Sequence, residues 1–306
     1  MRLVFLGSPP EASGALRALH DAGHEIPLVV TQPDRKRGRG GDLVASPVKK
    51  AALDLGLAVV TPERCKEALD DIAATGAVLG VVVAFGQLIP PSVLAALPSG
   101  YVNVHFSLLP RWRGAAPVER AMLAGDPETG VCLMQLEAGL DTGPVYACRT
   151  IPITPDDTAG ELRRRLADLG TELLLAEVDS IPGRTPTPQE GEETYAAKLS
   201  VEEFAVDWAR PAAELARLVM AGNPKPGAWT TAKGARLKLL RARADDASAP
   251  DGAAAAGVAQ PGALVGPGRV ATGGGVLVLG EVQPEGKAAM PATAWAAGFR
   301  GDRLGA

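Results

Sequence analysis

Short apolar runs alternate along the first part of the chain with stretches whose apolar residues recur every three to four positions. Residues 3–6, 26–31, 59–60, 78–85 and 100–105 read as strands bounded by Gly, Pro or polar residues, and residues 11–22 and 48–55 as helices between them. Near-continuous apolar strands alternating with helices predict a doubly wound parallel α/β sheet. Beyond a Pro- and Gly-punctuated stretch the pattern changes. A short amphipathic helix over 214–220 is followed by strand-like runs at 237–241, 264–265, 270–271 and 276–279, separated by glycine, which predict a small β-barrel. The expected organisation is therefore an α/β domain over residues 1–182, a linker over 183–208 and a barrel domain over 209–306. Residues 244–262, rich in Ala, Asp, Gly and Pro, read as a low-complexity surface loop.

Length and composition agree with two cores, since 306 residues with 46% hydrophobic content exceed what one small domain needs. The first βα turn, Gly7-Ser8-Pro9-Pro10, lacks Gly-x-Gly-x-x-Gly, and Gly38-Arg39-Gly40-Gly41 precedes no helix start, so a dinucleotide-binding reading loses its fingerprint. The apolar start is too short for a signal peptide and no run approaches a membrane span, so a cytoplasmic protein without membrane contact is expected. Three cysteines, Cys65, Cys132 and Cys148, are an odd number without Cys-x-x-Cys spacing, and read as reduced thiols rather than a disulfide framework or a zinc site. His20 and His24 have no partner motif and read as surface residues at the end of the first helix.

Charge changes the picture only through its distribution. The net charge is −4, but residues 1–208 carry 19 basic and 28 acidic side chains, and residues 209–306 carry 12 and 7. A basic carboxy-terminal third suits a phosphate backbone, although ordinary solvated surface produces the same imbalance. A second basic feature is the polar connection over residues 32–46, where Arg35, Lys36, Arg37 and Arg39 stand among glycines. So long a connection inside an α/β domain is more often functional than decorative, the alternative being a solvated flexible loop.

The candidate chemistry lies in Asn103-Val104-His105 and in Asp141 of Leu140-Asp141-Thr142-Gly143. On a strand, positions 103 and 105 share a face, and near the carboxyl end of a parallel strand that face meets the usual ligand crevice. An amide, an imidazole and a carboxylate suffice for acyl transfer to an amine. The amide donates to the oxyanion of the tetrahedral centre, the imidazole moves the proton, and the carboxylate orients the ring. This chemistry requires no metal. Taken singly, a histidine at a strand end or an Asp in a turn is commonly structural.

Read with its neighbours, the segment Asn103-Val104-His105-Phe106-Ser107-Leu108-Leu109-Pro110-Arg111-Trp112-Arg113-Gly114-Ala115-Ala116-Pro117, then Gly125-Asp126 and Gly139-Leu140-Asp141-Thr142-Gly143, resembles the signature of formyltetrahydrofolate-dependent formyltransferases, those acting on methionyl-tRNA in particular. The resemblance extends to Thr31-Gln32-Pro33-Asp34-Arg35, Gly38-Arg39-Gly40, Ser46-Pro47-Val48-Lys49, Val82-Val83-Ala84-Phe85-Gly86 and Thr194-Tyr195-Ala196-Ala197-Lys198-Leu199, and thins after about Gly227. It implies a catalytic trio at Asn103, His105 and Asp141, a tetrahydrofolate-contacting turn at Ser107, Leu108, Leu109 and Pro110, and a pteridine-lining loop at Phe85, Gly86, Gln87, Leu88 and Ile89. It further implies 10-formyltetrahydrofolate as formyl donor, initiator Met-tRNA as acceptor, a tRNA-gripping loop containing Arg35, Lys36, Arg37 and Arg39, and an oligonucleotide-binding-like barrel. No obligate protein partner is implied. Phe106 departs from the glycine frequent in the family, and Trp112 suits either packing or stacking on a substrate. Three alternatives stay open at this level: a formyltransferase for a small amine, a formyltetrahydrofolate deformylase, and a non-catalytic RNA-binding protein on the same fold.

Overall fold

The structure, a computed structural model, describes residues 1–37, 41–245 and 259–305. The chain forms two compact units. The first comprises Met1–Pro117, Glu128–Ile151 and Arg163–Ala196. Its sheet contains β1 (Arg2–Gly7), β2 (Glu25–Val30), β5 (Val59–Val60), β6 (Leu79–Val83), β7 (Tyr101–His105), β9 (Glu128–Gln135) and β10 (Val145–Pro152), in the order β10-β9-β7-β6-β1-β2-β5. The five strands from β7 to β5 run parallel, and β9 joins β7 antiparallel, so the expected parallel sheet carries an antiparallel extension. Leu3, Val4, Phe5 and Leu6 of β1 are wholly buried, which is why this strand reads as an unbroken apolar run rather than an alternating one.

Helix α1 (Pro10–Asp21) buries Ala12, Ala15, Leu16 and Leu19, one face at helical spacing, and starts with a proline whose missing N–H costs nothing there. Helix α2 (Pro47–Asp54) is capped by Ser46, whose hydroxyl accepts from the Lys49 amide at 2.9 Å. The connection between β2 and α2, expected as one polar loop, contains a small antiparallel pair, β3 (Arg35–Arg37) with β4 (Asp42–Val44). Its two ends are tied together by the Lys49 ammonium on Asp34 (2.8 Å) and by the Thr31 and Ser46 hydroxyls (2.7 Å). Arg39 lies outside the described residues.

Two sequence expectations are corrected here. Cys132 on β9 and Cys148 on the neighbouring β10 are joined by a disulfide, with Cα atoms 4.1 Å apart. An odd cysteine count and the lack of Cys-x-x-Cys cannot register a cross-strand contact 16 residues apart. Purified without reductant, the folded chain is expected to show essentially no reactive thiol. One should appear on unfolding, and three on unfolding with reduction; three thiols without reduction would show that the pair is open. The remaining thiol, Cys65, is buried, and burial pushes its pKa up to about 11, leaving little thiolate at neutral pH. His24 is likewise not a surface residue: it is 7% exposed, and its Nδ1 accepts from the amino-terminal ammonium at 3.2 Å. Burial and that neighbouring cation lower its pKa.

The second unit comprises Val118–Pro127, Pro152–Leu162 and Ala197–Ala306. Its antiparallel sheet runs β12 (Ala228–Ala232), β13 (Ala235–Ala244), β16 (Val276–Pro284), β15 (Arg269–Ala271), β14 (Leu264–Gly266), with β17 (Met290–Pro291) on β16. Leu237, Leu239, Val270, Leu277 and Val282 are essentially fully buried, as are Leu215 and Val219 of α3 (Ala212–Gly222). The sheet path is open between β12 and β14, and the last described residues stitch it. Arg303 bridges Ala263, Leu264 donates to the Asp302 carbonyl (2.7 Å), and Gly305 donates to that of Thr231 (2.9 Å). The barrel expected from glycine-punctuated strands is thus an antiparallel sheet bridged by the chain's end. Of the low-complexity stretch, residues 246–258 lie outside the described residues. Among the described residues, no helix is long and apolar enough to cross a membrane.

The stretch expected as a linker has fixed contacts in each unit. Residues 195–196 form β11, paired in parallel with Arg113–Gly114, which is β8. In the second unit Phe204 is wholly buried, and a Cβ on Gly222 would meet its ring at 2.7 Å.

Candidate active site

In the first unit the chain leaves β1 toward β2 and β5 on one side and returns to β6 and β7 on the other, which makes the carboxyl ends of β1 and β6 the place for a crevice. A cavity of about 580 Å³ opens there. Phe85, Gly86, Gln87, Leu88 and Ile89, immediately beyond β6, line one part of it; Asn103 and His105 at the end of β7, and Asp141 from the β9–β10 connection, line another. Five residues expected to face a pteridine and three expected to react therefore share one cavity. The alternation along β7 accounts for the pairing of 103 with 105.

The geometry of His105 and Asp141 is set mainly by backbone groups. The Trp112 carbonyl lies 3.0 Å from His105 Nε2. A carbonyl only accepts, so Nε2 carries the proton and the lone pair of the neutral ring is on Nδ1. Nδ1 stands 3.7 Å from Asp141 Oδ2, too far for a direct hydrogen bond and close enough for ion pairing once the ring is protonated. The same Oδ2 accepts from the Gly114 amide at 2.8 Å. Asp141 has φ 51°, a left-handed conformation uncommon outside glycine, and Gly114 has φ 119°, a region in which only glycine is unstrained. The side chains of His105 and Asp141 are 6% and 14% exposed, so their attraction is little screened by water.

The turn at residues 107–110 does not line the cavity. Ser107 is buried and its hydroxyl donates to the Arg111 carbonyl (2.6 Å), Leu108 packs over Gly130, and the Pro110 carbonyl accepts from the Thr194 amide (3.4 Å). These residues hold the approach to Trp112 and Arg113. The ring of Trp112 carries the Arg111 guanidinium 4.5 Å from its centroid. Arg35 is not among the residues lining the cavity; it donates to Gln32 Oε1 at 2.9 Å, and Gln32 Nε2 donates to the Phe85 carbonyl at 3.2 Å. Among the described residues, no group of three or more His, Cys, Asp or Glu side chains is arranged to hold a metal ion.

Sequence reasoning missed several residues that touch this constellation. Gln189 Nε2 donates to the Asp141 carbonyl (2.8 Å) and the Gly143 carbonyl (2.7 Å), while its Oε1 accepts from Arg113 Nε (3.0 Å) and Nη2 (2.8 Å). Arg113, only 8% exposed, also pairs with Glu193. Thr194 Oγ1 accepts from the Trp112 amide at 2.9 Å. Thr194 stood inside a family-like motif, so a signal existed; Gln189 lay in a stretch without apolar periodicity and gave none.

Comparison with known proteins bears on what this arrangement serves. Residues 1–178 match the family model described as formyl transferase, and residues 198–300 match that described as formyl transferase, C-terminal domain. The methionyl-tRNA formyltransferase of Thiobacillus denitrificans is 49% identical over 315 residues, covering all of both chains. That of Symbiobacterium thermophilum is 46% identical, covering 97% of this chain and 92% of its own. Among solved structures, HypX from Aquifex aeolicus in complex with tetrahydrofolic acid has a TM-score of 0.66 at 18% identity, over 98% of this chain and 47% of that one, a likeness of fold.

Proposed function

The chain belongs to the formyl transferase family, and from that premise we propose that it transfers a formyl group from 10-formyltetrahydrofolate to the α-amino group of methionine on initiator tRNA. The observation that carries this reading is the meeting of Asn103, His105 and Asp141 with Phe85 to Ile89 in one cavity, in a chain whose full-length relatives bear the methionyl-tRNA formyltransferase name. The relatives' coverage of the carboxy-terminal unit argues against a deformylase, for which water is the acceptor and no second unit is needed. The trio argues against a purely RNA-binding role, which has no use for it.

In this mechanism the neutral amine attacks the formyl carbon, and the developing oxyanion takes a hydrogen bond from the Asn103 amide. The amine proton passes to His105 Nδ1, the nitrogen left free by the Trp112 carbonyl, and Asp141 stabilises the resulting cation. Collapse of the tetrahedral centre breaks the bond to folate N10, which receives the proton from His105. Activity accordingly falls at acidic pH, where the attacking amine is protonated. The folate is a substrate held by the 85–89 loop, with the turn at 107–110 supporting the strand end. Arg35, Lys36, Arg37 and Arg39, together with the basic residues of 209–306, are proposed to meet the tRNA backbone, and the reaction is assigned to the cytoplasm.

The test is a formyl-transfer assay with 10-formyltetrahydrofolate and three acceptors: methionyl initiator tRNA, methionyl elongator tRNA and free methionine. Transfer to the initiator alone is expected. Formate release without an acceptor, or transfer to free methionine as efficient as to the tRNA, would overturn the assigned acceptor.

A further inference from the structure

We propose that Gln189 and Thr194 are positioning residues for the transfer reaction, fixing Asp141 and His105 from outside the cavity. The proposal rests on the reading of Asn103, His105 and Asp141 as the reacting trio. Neither Gln189 nor Thr194 lines the cavity, so any influence on chemistry passes through the residues they hold.

Two short relays make the connection. In the first, Thr194 Oγ1 accepts from the Trp112 amide, and the Trp112 carbonyl accepts from His105 Nε2. Trp112 sits at φ 62°, an unfavourable conformation for a bulky residue, which persists only where its surroundings dictate it. The Thr194 hydroxyl is one such constraint, and the carbonyl it helps to aim decides which ring nitrogen of His105 is free to take a proton. In the second, both N–H groups of the Gln189 amide are spent on the carbonyls of Asp141 and Gly143, clamping the left-handed backbone that turns the Asp141 carboxylate toward His105. The Gln189 oxygen is fixed by two donors of buried Arg113, so the amide cannot flip without facing donors with donors. The relays converge on β8. Its Gly114 gives the amide that Asp141 accepts, and β11 holds β8 in parallel register, the Thr194 carbonyl accepting from Arg113 N (2.9 Å) and the Ala196 carbonyl from Ala115 N (2.8 Å). Segment 189–196 thereby holds the backbone next to both groups that touch the side chains of His105 and Asp141, bonding the amides of Trp112, Arg113 and Ala115 around the Trp112 carbonyl and the Gly114 amide.

The experiment compares Gln189→Leu, Thr194→Val, Thr194→Ser, His105→Ala and Asp141→Ala, with the double variant Gln189→Leu/Asp141→Ala, in the initiator-tRNA assay with thermal melts of each. A displacement of about 1 Å in a reacting group costs on the order of a hundredfold. Gln189→Leu and Thr194→Val are therefore expected to lower kcat by about ten- to a hundredfold with KM for both substrates within about threefold, and Thr194→Ser to recover most of the rate. Because Gln189 acts through Asp141, Gln189→Leu should cost little further in the Asp141→Ala background. If Gln189→Leu fails to fold, the Thr194 pair carries the test. Near-normal kcat in both Gln189→Leu and Thr194→Val, or penalties that multiply in the double variant, would overturn the positioning role while a collapsed His105→Ala leaves the trio standing. Near-normal His105→Ala would instead overturn the trio, and the positioning role with it.

Discussion

His105→Ala is expected to lower kcat for formyl transfer by roughly two to four orders of magnitude with the fold intact, the range set by loss of a positioned proton-transfer group. The ring lies at the end of β7, so the strand's backbone pairing survives the truncation. What is lost is a base at Nδ1 and a donor to the Trp112 carbonyl. His105→Gln separates the two, because an amide can still donate to that carbonyl and cannot accept the amine proton. Both variants should therefore be equally slow, although only His105→Ala removes the ring-side donor to that carbonyl and leaves it the longer contact from the Ser107 hydroxyl (3.5 Å). Asn103→Ala should cost roughly 10²- to 10³-fold in kcat, about 2.7–4 kcal/mol of transition-state stabilisation, as removal of one oxyanion donor does elsewhere. Rates measured at saturating folate and tRNA decide the matter. A His105→Ala enzyme with near-normal kcat would refute the mechanism, and a defect confined to KM would make the trio a binding device.

How much of this site the sequence disclosed follows from how each residue is held. The central strands are legible because parallel strands buried on both faces must be apolar throughout, as Leu3 to Leu6 and Leu79 to Val83 are. Asn103 and His105 are legible because a period-two element places them on one face regardless of tertiary detail. Asp141 is legible only through its motif, since nothing local tells a carboxylate that turns toward a ring 36 positions away from one that caps a turn. Gln189 is not legible at all. Its contacts lie 46, 48 and 76 residues back, two of them to main-chain carbonyls and one to the Arg113 side chain, and leave no local pattern in the sequence. The disulfide and buried His24 failed for the same reason: parity, spacing and periodicity are local statistics, and these are contacts across strands or with the chain's own terminus. The 32–46 connection misled differently. Its composition is that of a flexible loop, yet the backbone pairs with itself between Arg35 and Val44, a local pairing that polar side chains neither announce nor forbid.

Gly143→Ala is expected to lower kcat by at least about tenfold, approaching the loss on removing Asp141, although the added group is one methyl two residues from the carboxylate. A Cβ at position 143 would stand 1.9 Å from the Gln135 carbonyl oxygen, and that oxygen belongs to β9, which cannot withdraw without breaking the sheet's order. The connection must give instead. It carries Asp141, whose carbonyl and that of Gly143 are spanned by the single amide of Gln189. Pushing residue 143 off β9 therefore pulls on the clamp and on the left-handed backbone of Asp141 together, and moves the carboxylate relative to a ring that is already 3.7 Å away. At that separation the attraction for a protonated ring weakens with every added ångström and water enters the gap. The cost to the fold is smaller, about 1–3 kcal/mol for an overpacked site, or a few degrees to roughly ten degrees in Tm for a unit of this size. Activity should thus fall out of proportion to stability. Gly23→Ala serves as the comparison: its φ of 84° strains a side chain, but nothing lies within 4 Å of the added Cβ, so it should lose stability with kcat unchanged. If Gly143→Ala retained the wild-type kcat, the connection would be free to shift without moving the carboxylate, and Asp141 would not need to be held for the reaction to run.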